Sequence, residues 1–151
     1  MTLKLAKHAL LSSSILLCLT YSSFALDAEK FSERLKAAFS EGGASIEFSS
    51  VKIDGDNVLL EGTKMTSAAQ TFPIGTLQLN GVEERDDGTI RIEETIVDDI
   101  NHQGKDIKFT LSGIEIGGLL LPAENADAQT YPYVLYERAV TGPATFSLRG
   151  V

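Results

Sequence analysis

Residues 74–97 read IGTLQLNGVEERDDGTIRIEETIV, and this stretch decides the fold class. Leu77 and Leu79 are spaced two apart, as are Ile90 and Ile92, with polar residues between them, which is the period of a β-strand. Asp86-Asp87-Gly88 lies between the two runs and is a turn-forming cluster. The pattern predicts strands over Ile74–Glu83 and Thr89–Val97 joined as an antiparallel hairpin. Ile90, Ile92 and Ile96 should share one face, with Arg91, Glu93 and Thr95 on the other.

The same rhythm extends in both directions. Ser45–Ile53 and Val58–Met65 flank the polar loop Asp54-Gly55-Asp56-Asn57, a second hairpin signal. This hairpin resembles the one at residues 82–92, and the likeness of one hairpin to another explains it without an internal repeat. Thr66–Thr71 is small and polar and reads as a longer connection, after which Phe72-Pro73 holds the chain extended. Downstream, Asp99–Gly104 reads as a loop and Asp106–Leu111 as a strand. Beyond it the apolar positions change phase to Ile114 and Ile116, so a bulge is expected at Ser112-Gly113. Gly117–Leu121 ends at Pro122 and a polar loop through Thr130. Tyr133–Val140 and Ala144–Leu148, separated by Thr141-Gly142-Pro143, form the last expected pair.

Upstream of the strands the period changes. Phe31, Leu35, Ala38 and Phe39 within LDAEKFSERLKAAFSE, residues 26–41, follow helical spacing. Asp27 is the expected N-cap, Leu26 a staple onto Phe31, and Gly42 and Gly43 the stop. The fold class is therefore mainly β (α+β): an N-terminal amphipathic helix packed on a twisted antiparallel β-meander of six to eight strands.

Residues 1–25 carry Lys4 and Lys7, no acid, an apolar run from Ala9 to Leu19, and Ser23 and Ala25 flanking Phe24, the pattern of a cleaved signal peptide. The plan is thus a signal peptide over 1–25, a helix with its cap over 26–43, and an antiparallel β domain over 44–151. Export to the periplasm is expected, with secretion or anchoring by an uncleaved signal as the alternatives. The sole cysteine, Cys18, lies within the signal, and Leu16 and Leu17 before it are wrong for a lipoprotein site. Cleavage leaves no residue for a disulfide or a thiol nucleophile. It also removes two of the 13 basic residues, leaving 11 against all 21 acids and a formal charge of −10. Such a chain lacks the basic surface that displaces counterions from nucleic acid. No later run approaches the roughly 20 apolar residues of a membrane span.

Candidate chemistry is sparse. His102, the one histidine after residue 25, has no nucleophile elbow to serve. With Asp98 and Asp99 it offers metal-compatible donors, for which a hydrated acidic turn is the simpler reading. Asp54-Gly55-Asp56-Asn57 fails as an EF-hand, because the fifth and twelfth positions from Asp54 are Val58 and Met65. Glu83-Glu84 and Glu93-Glu94 are the pairs a glycosidase would draw on, but the chain has no tryptophan to form a sugar platform. No catalytic, cofactor-binding or metal-binding residue is assigned, and the expectation is a non-enzyme. Tyr131, Tyr133, Tyr136 and Phe146 are candidates to line an apolar groove.

Phe72-Pro73-Ile74-Gly75, Leu77-x-Leu79-x-Gly81-Val82-Glu83-Glu84, Leu135-Tyr136-Glu137 and Gly142-Pro143 resemble the N-terminal part of exported proteins of unknown function found in rhizobia and related alphaproteobacteria. The resemblance implies a Gram-negative periplasmic setting, and a domain shortened at its C-terminus is one expectation it raises. It carries over no functional residue. The hairpin rhythm is also distantly similar to periplasmic sheet proteins that shield lipid. Together these readings give a non-enzymatic exported cell-envelope protein of structural or interaction type. Its expected partner is an envelope protein or a second copy bound through an edge strand. The alternative is a binder of lipid or another apolar ligand between helix and sheet.

Overall fold

A computed structural model describes residues 26–68, 70–104, 107–124 and 134–148. The expected signal peptide with Cys18, the loop over 125–130, and Tyr131 and Tyr133 lie outside the described residues. Among those described, no helix is long and apolar enough to cross a membrane.

Among the described residues the chain is mainly β with one helix, α1, over Ala28–Glu41. Its cap is as expected: the Asp27 carboxylate accepts from the Lys30 amide at 2.9 Å, satisfying one orphan donor of the first turn. Gly42 caps the other end, and Gly43 follows at φ +77°. Phe31, Leu35 and Ala38 are buried.

Ten strands follow: β1 Ala44–Glu47, β2 Ser50–Asp54, β3 Asn57–Ser67, β4 Gln70–Glu84, β5 Ile90–Val97, β6 Ile100–Gln103, β7 Ile107–Leu111, β8 Ile114–Leu121, β9 Arg138–Val140 and β10 Ala144–Leu148. They form two antiparallel sheets. The larger has the order β1-β3-β4-β5-β8-β9, with β2 on the same edge of β3 as β1; the smaller has the order β10-β7-β6. Each arm β5–β6, β7–β8 and β9–β10 leaves one sheet and enters the other after a short break. Residues 98–99, Ser112-Gly113 and Thr141-Gly142-Pro143 mark these breaks, so a single crease crosses three arms. Side chains and backbone pin it. Asp98 accepts from the Thr76 amide at 2.8 Å, Asp99 from the Gly113 amide at 3.3 Å, and the Gly142 amide donates to the Ser112 carbonyl at 2.8 Å.

Several sequence expectations are corrected here. Ser45–Ile53 is broken at Phe48-Ser49 rather than continuous. Thr66–Thr71 is no long connection, because Ser67 pairs with Gln70 and Thr66 with Thr71 in a tight β3–β4 hairpin. Polar residues here mark exposed strand ends rather than a loop. Asp99–Gly104 is not a loop: Ile100–Gln103 is a strand, paired with β7. The last two runs do not pair with each other, since β9 joins β8 and β10 joins β7. Of Tyr133–Val140 only Arg138–Val140 is a strand, preceded by a single bridge from Leu135 to Leu120.

The facing within β5 also differs. Ile90 and Ile92 are buried, but so are Thr95 and Val97, while Ile96 is 38% exposed. Glu93 and Glu94 both point away from the core, and the inward positions resume one residue late. The same phase slip recurs: inward residues are Val58, Leu60 then Thr63 in β3, Leu77, Leu79 then Val82 in β4, and Ile114, Ile116 then Leu119 in β8. In β3, β4 and β8 the slip sits at a glycine with φ near +63°, namely Gly62, Gly81 and Gly118. One residue in this left-handed conformation re-aims the strand as a bulge does.

Helix α1 contacts β1 and β2 at one edge and also β8. In the strand order β8 lies four strands from β1, roughly 19 Å in a flat sheet at ~4.8 Å per strand. That distance exceeds the ~10–12 Å width of a helix, so the sheet curls around α1. Rows such as Leu60–Leu77–Val97–Ile114 fill the space beneath it. Arg34 locks the helix down by donating to the carbonyls of Gly88 at 2.6 Å and Pro122 at 2.7 Å, and to Glu84 at 3.2 Å.

Candidate functional site

Core-facing side chains do not stop where the helix stops. Past the crease, register places Phe146 beside Phe109 and Phe109 beside His102, and Ala144 beside Leu111 and Leu111 beside Ile100. Cross-strand partners share a face, so one face of the smaller sheet carries these rows. Its reverse carries Thr145–Thr110–Asn101 and Ser147–Lys108–Gln103. The alternation that sends Phe and Leu one way and Thr, Ser and Lys the other is a plain period of two.

Ile100, Leu111, Met65 and Phe72 are partly buried against the main core, so the apolar face is a continuation of the protein interior. At its centre three rings meet. His102 stacks on Phe109 with centroids 5.2 Å apart, and Phe72 from β4 approaches His102 edge-on at 5.7 Å and Phe109 at 6.2 Å. His102 is therefore a half-buried member of an aromatic cluster rather than a hydrated loop residue. Strand pairing and ring packing, not acidic neighbours, determine its surroundings.

Farther out the cover is lost. Phe146 is 66% and Leu148 65% exposed, and every residue of β10 is exposed. Fully burying one such side chain is worth about 1.5–3 kcal/mol, so this arrangement forgoes roughly 2–4 kcal/mol over the pair. Strand β10 hydrogen-bonds β7 on one side and, among the described residues, pairs with nothing on the other. It carries no charged residue to blunt that edge.

The remaining candidates separate from this surface. Asp98 and Asp99 spend their carboxylates on the crease, and among the described residues no three His, Cys, Asp or Glu side chains gather as a metal site. Glu84 pairs with Arg34, and Glu94 accepts from Asn80 at 3.0 Å. Glu93 lies over Gly81, where an added Cβ would stand 2.8 Å from its own. On the sheet's outer face Asn80, Arg91, Glu93, Glu94, Glu137 and Arg138 surround a wide hollow of about 610 Å³ over Gly117 and Gly118. Arg91 and Glu137 already meet across it at 3.5 Å. Asp54 ends β2 and Asp56 lies in the exposed turn that joins it to β3. Tyr136 is 62% exposed beside the Leu120–Leu135 bridge, so of the two expected groove residues that are described, Phe146 sits on the apolar face and Tyr136 does not.

Sequence reading did not find His102, Phe109 and Phe72 as neighbours, because they come from three strands. The written signal is the Ile100-x-His102 alternation, one turn before the Ile107-x-Phe109-x-Leu111 alternation of β7. No protein-family model, curated protein or solved structure matches this chain.

Proposed function

We propose that this chain is a non-enzymatic, exported cell-envelope protein of interaction type, working in the periplasm after loss of residues 1–25. Its working surface is the open face and edge of the smaller sheet. The supporting observation is that the apolar interior runs past α1 onto β6, β7 and β10 and ends at two large, exposed side chains on an unguarded edge strand. Strand edges of this kind recognise extended partners through backbone hydrogen bonds, with alternate side chains adding specificity. A photo-reactive phenylalanine analogue at Phe146, expressed in the native host, should give a discrete covalent adduct, whereas the same group at Lys108 on the polar reverse should not. Equal labelling at both positions, or none at Phe146, would overturn the proposal.

A second reading has its own support, the Phe72–His102–Phe109 cluster continuous with the core. An acyl chain laid along this face would meet only rings and aliphatic groups. The site then lies beyond the helix, since Phe31, Leu35 and the rows beneath them fill the space between helix and sheet. Delipidated protein should gain thermal stability with a fatty acid or phospholipid, by about 2.7 kcal/mol at a hundred-fold excess over Kd. No gain at saturation eliminates this reading.

A further inference from the structure

We infer that β10 pairs antiparallel with β10 of a second copy of this chain, about a two-fold axis at Phe146. The inference rests on the reading above that the open edge is the working surface, and it names what fills that edge.

Three observations converge on this partner. First, Ala144-Thr145-Phe146-Ser147-Leu148 is self-complementary in chemical type. Antiparallel pairing centred on Phe146 sets it opposite its own copy, Ala144 opposite Leu148, and Thr145 opposite Ser147. Apolar groups then meet on the core-facing side and hydroxyls on the reverse, as an isologous interface requires. Second, the rows already present lead into that arrangement. Phe146 is the outermost member of the His102–Phe109–Phe146 row, and the Thr145 hydroxyl already hydrogen-bonds Thr110. A second copy continues both the aromatic row and the hydroxyl row. Third, charge separates this edge from those of the larger sheet, and β6, the opposite and also uncharged edge of the smaller sheet, lies against β4. The β1–β2 edge carries Glu47, Lys52 and Asp54 and β9 carries Arg138, whereas β10 is uncharged. A chain of formal charge −10 after loss of residues 1–25 repels its own copy across most surfaces, and this edge brings no acids face to face.

The axis gives a specific test. In protein purified from the host envelope, sedimentation velocity should show a concentration-dependent monomer–dimer equilibrium. Phe146→Glu and Phe146→Lys each place like charges directly opposite and should weaken self-association by roughly a hundred-fold or more. Mixing the two variants in equal amounts should restore the dimer. Phe146 is two-thirds exposed in the single chain, so at dilutions where wild type is itself monomeric both variants should retain its circular dichroism and melting, which excludes misfolding as the cause of dissociation. Dimers of Phe146→Glu as stable as wild type, or a mixture that stays monomeric, would overturn the inference. A wild type that is monomeric yet cross-links through position 146 to a different molecule would overturn it while leaving the proposed function standing. A wild type that neither dimerises nor cross-links removes both.

Discussion

Replacing Gly81 by alanine tests whether the phase slips are built into the sheet by close backbone approach. Two costs are expected. At φ +63° an L-residue pays about 1–2 kcal/mol for the left-handed conformation. In addition, the new Cβ would stand 2.8 Å from Cβ of Glu93 and 2.9 Å from its Oε2. The first of these atoms is fixed by the backbone of β5, so relief requires strand movement, at roughly 1–3 kcal/mol. Gly81→Ala should therefore cost roughly 2–5 kcal/mol in all. Gly55 supplies the control: it has the same φ of +63° in the β2–β3 turn, with nothing within 4 Å of an added Cβ. Gly55→Ala should cost only the backbone part, about 1–2 kcal/mol. Urea unfolding of both variants and wild type, with equal m-values, reads the difference directly. Equal losses at the two positions would refute the claim that β4 and β5 touch too closely at residue 81 for any side chain.

Three further outcomes follow from the packing. Thr95 is buried in the row Val58–Leu79–Thr95–Ile116, with its hydroxyl lacking a hydrogen-bond partner among the described residues, so Thr95→Val should stabilise by about 1–2 kcal/mol in thermal or urea unfolding; a loss of stability would place Thr95 on the outer face. Arg34→Ala removes charge-assisted donors from two carbonyls and should cost about 2–4 kcal/mol. Arg34→Lys should restore little, because an ammonium cannot span the Gly88 and Pro122 carbonyls as a guanidinium fork does. Asp87 accepts from the Thr89 hydroxyl at 2.6 Å and amide at 3.0 Å, and these bonds hold its carboxyl below the usual range. Its stabilisation is present above the ordinary carboxylate pKa and fades as pH falls through the lowered one. The stability gap between wild type and Asp87→Asn should therefore close at strongly acidic pH, and a gap constant from pH 7 to pH 2 would contradict the assignment.

Local signals in the sequence carried much of the fold. Asp27 and Gly42 bound the helix, and the Asp54–Asn57 and Asp86–Gly88 turns separate β2 from β3 and β4 from β5, because caps and turns depend on the residues at those positions alone. The facing of the strands was less legible. An alternation count carries Ile96 inward, whereas the Glu93-Glu94 pair consumes one extra outward position and turns Thr95 in. The written clue is a recurrent pattern of apolar-x-apolar-x-Gly and then a core residue: Val58–Thr63, Leu77–Val82, Phe109–Ile114 and Ile114–Leu119. Residues 90–95 repeat it with Glu94 in the glycine position. The crease was legible as a bulge at Ser112-Gly113 and as a strand break at Thr141-Gly142-Pro143, but not at Asp98 and Asp99, where it is held by carboxylates contacting the amides of other strands. The site was legible in its last strand, where Phe146 was singled out. Its aromatic partners were not, because their approach depends on pairing among β4, β6 and β7.

The apolar face and open edge of β10 should behave as an interaction surface rather than as ordinary exposed strand, and the absence of tryptophan from the chain provides a clean reporter. Phe146→Trp places the only indole at the centre of that face. Its emission should then shift to the blue and lose accessibility to a soluble quencher as protein concentration rises or as the native envelope fraction or lipid is added. Emission of a fully hydrated indole, unchanged under all three conditions, would contradict it.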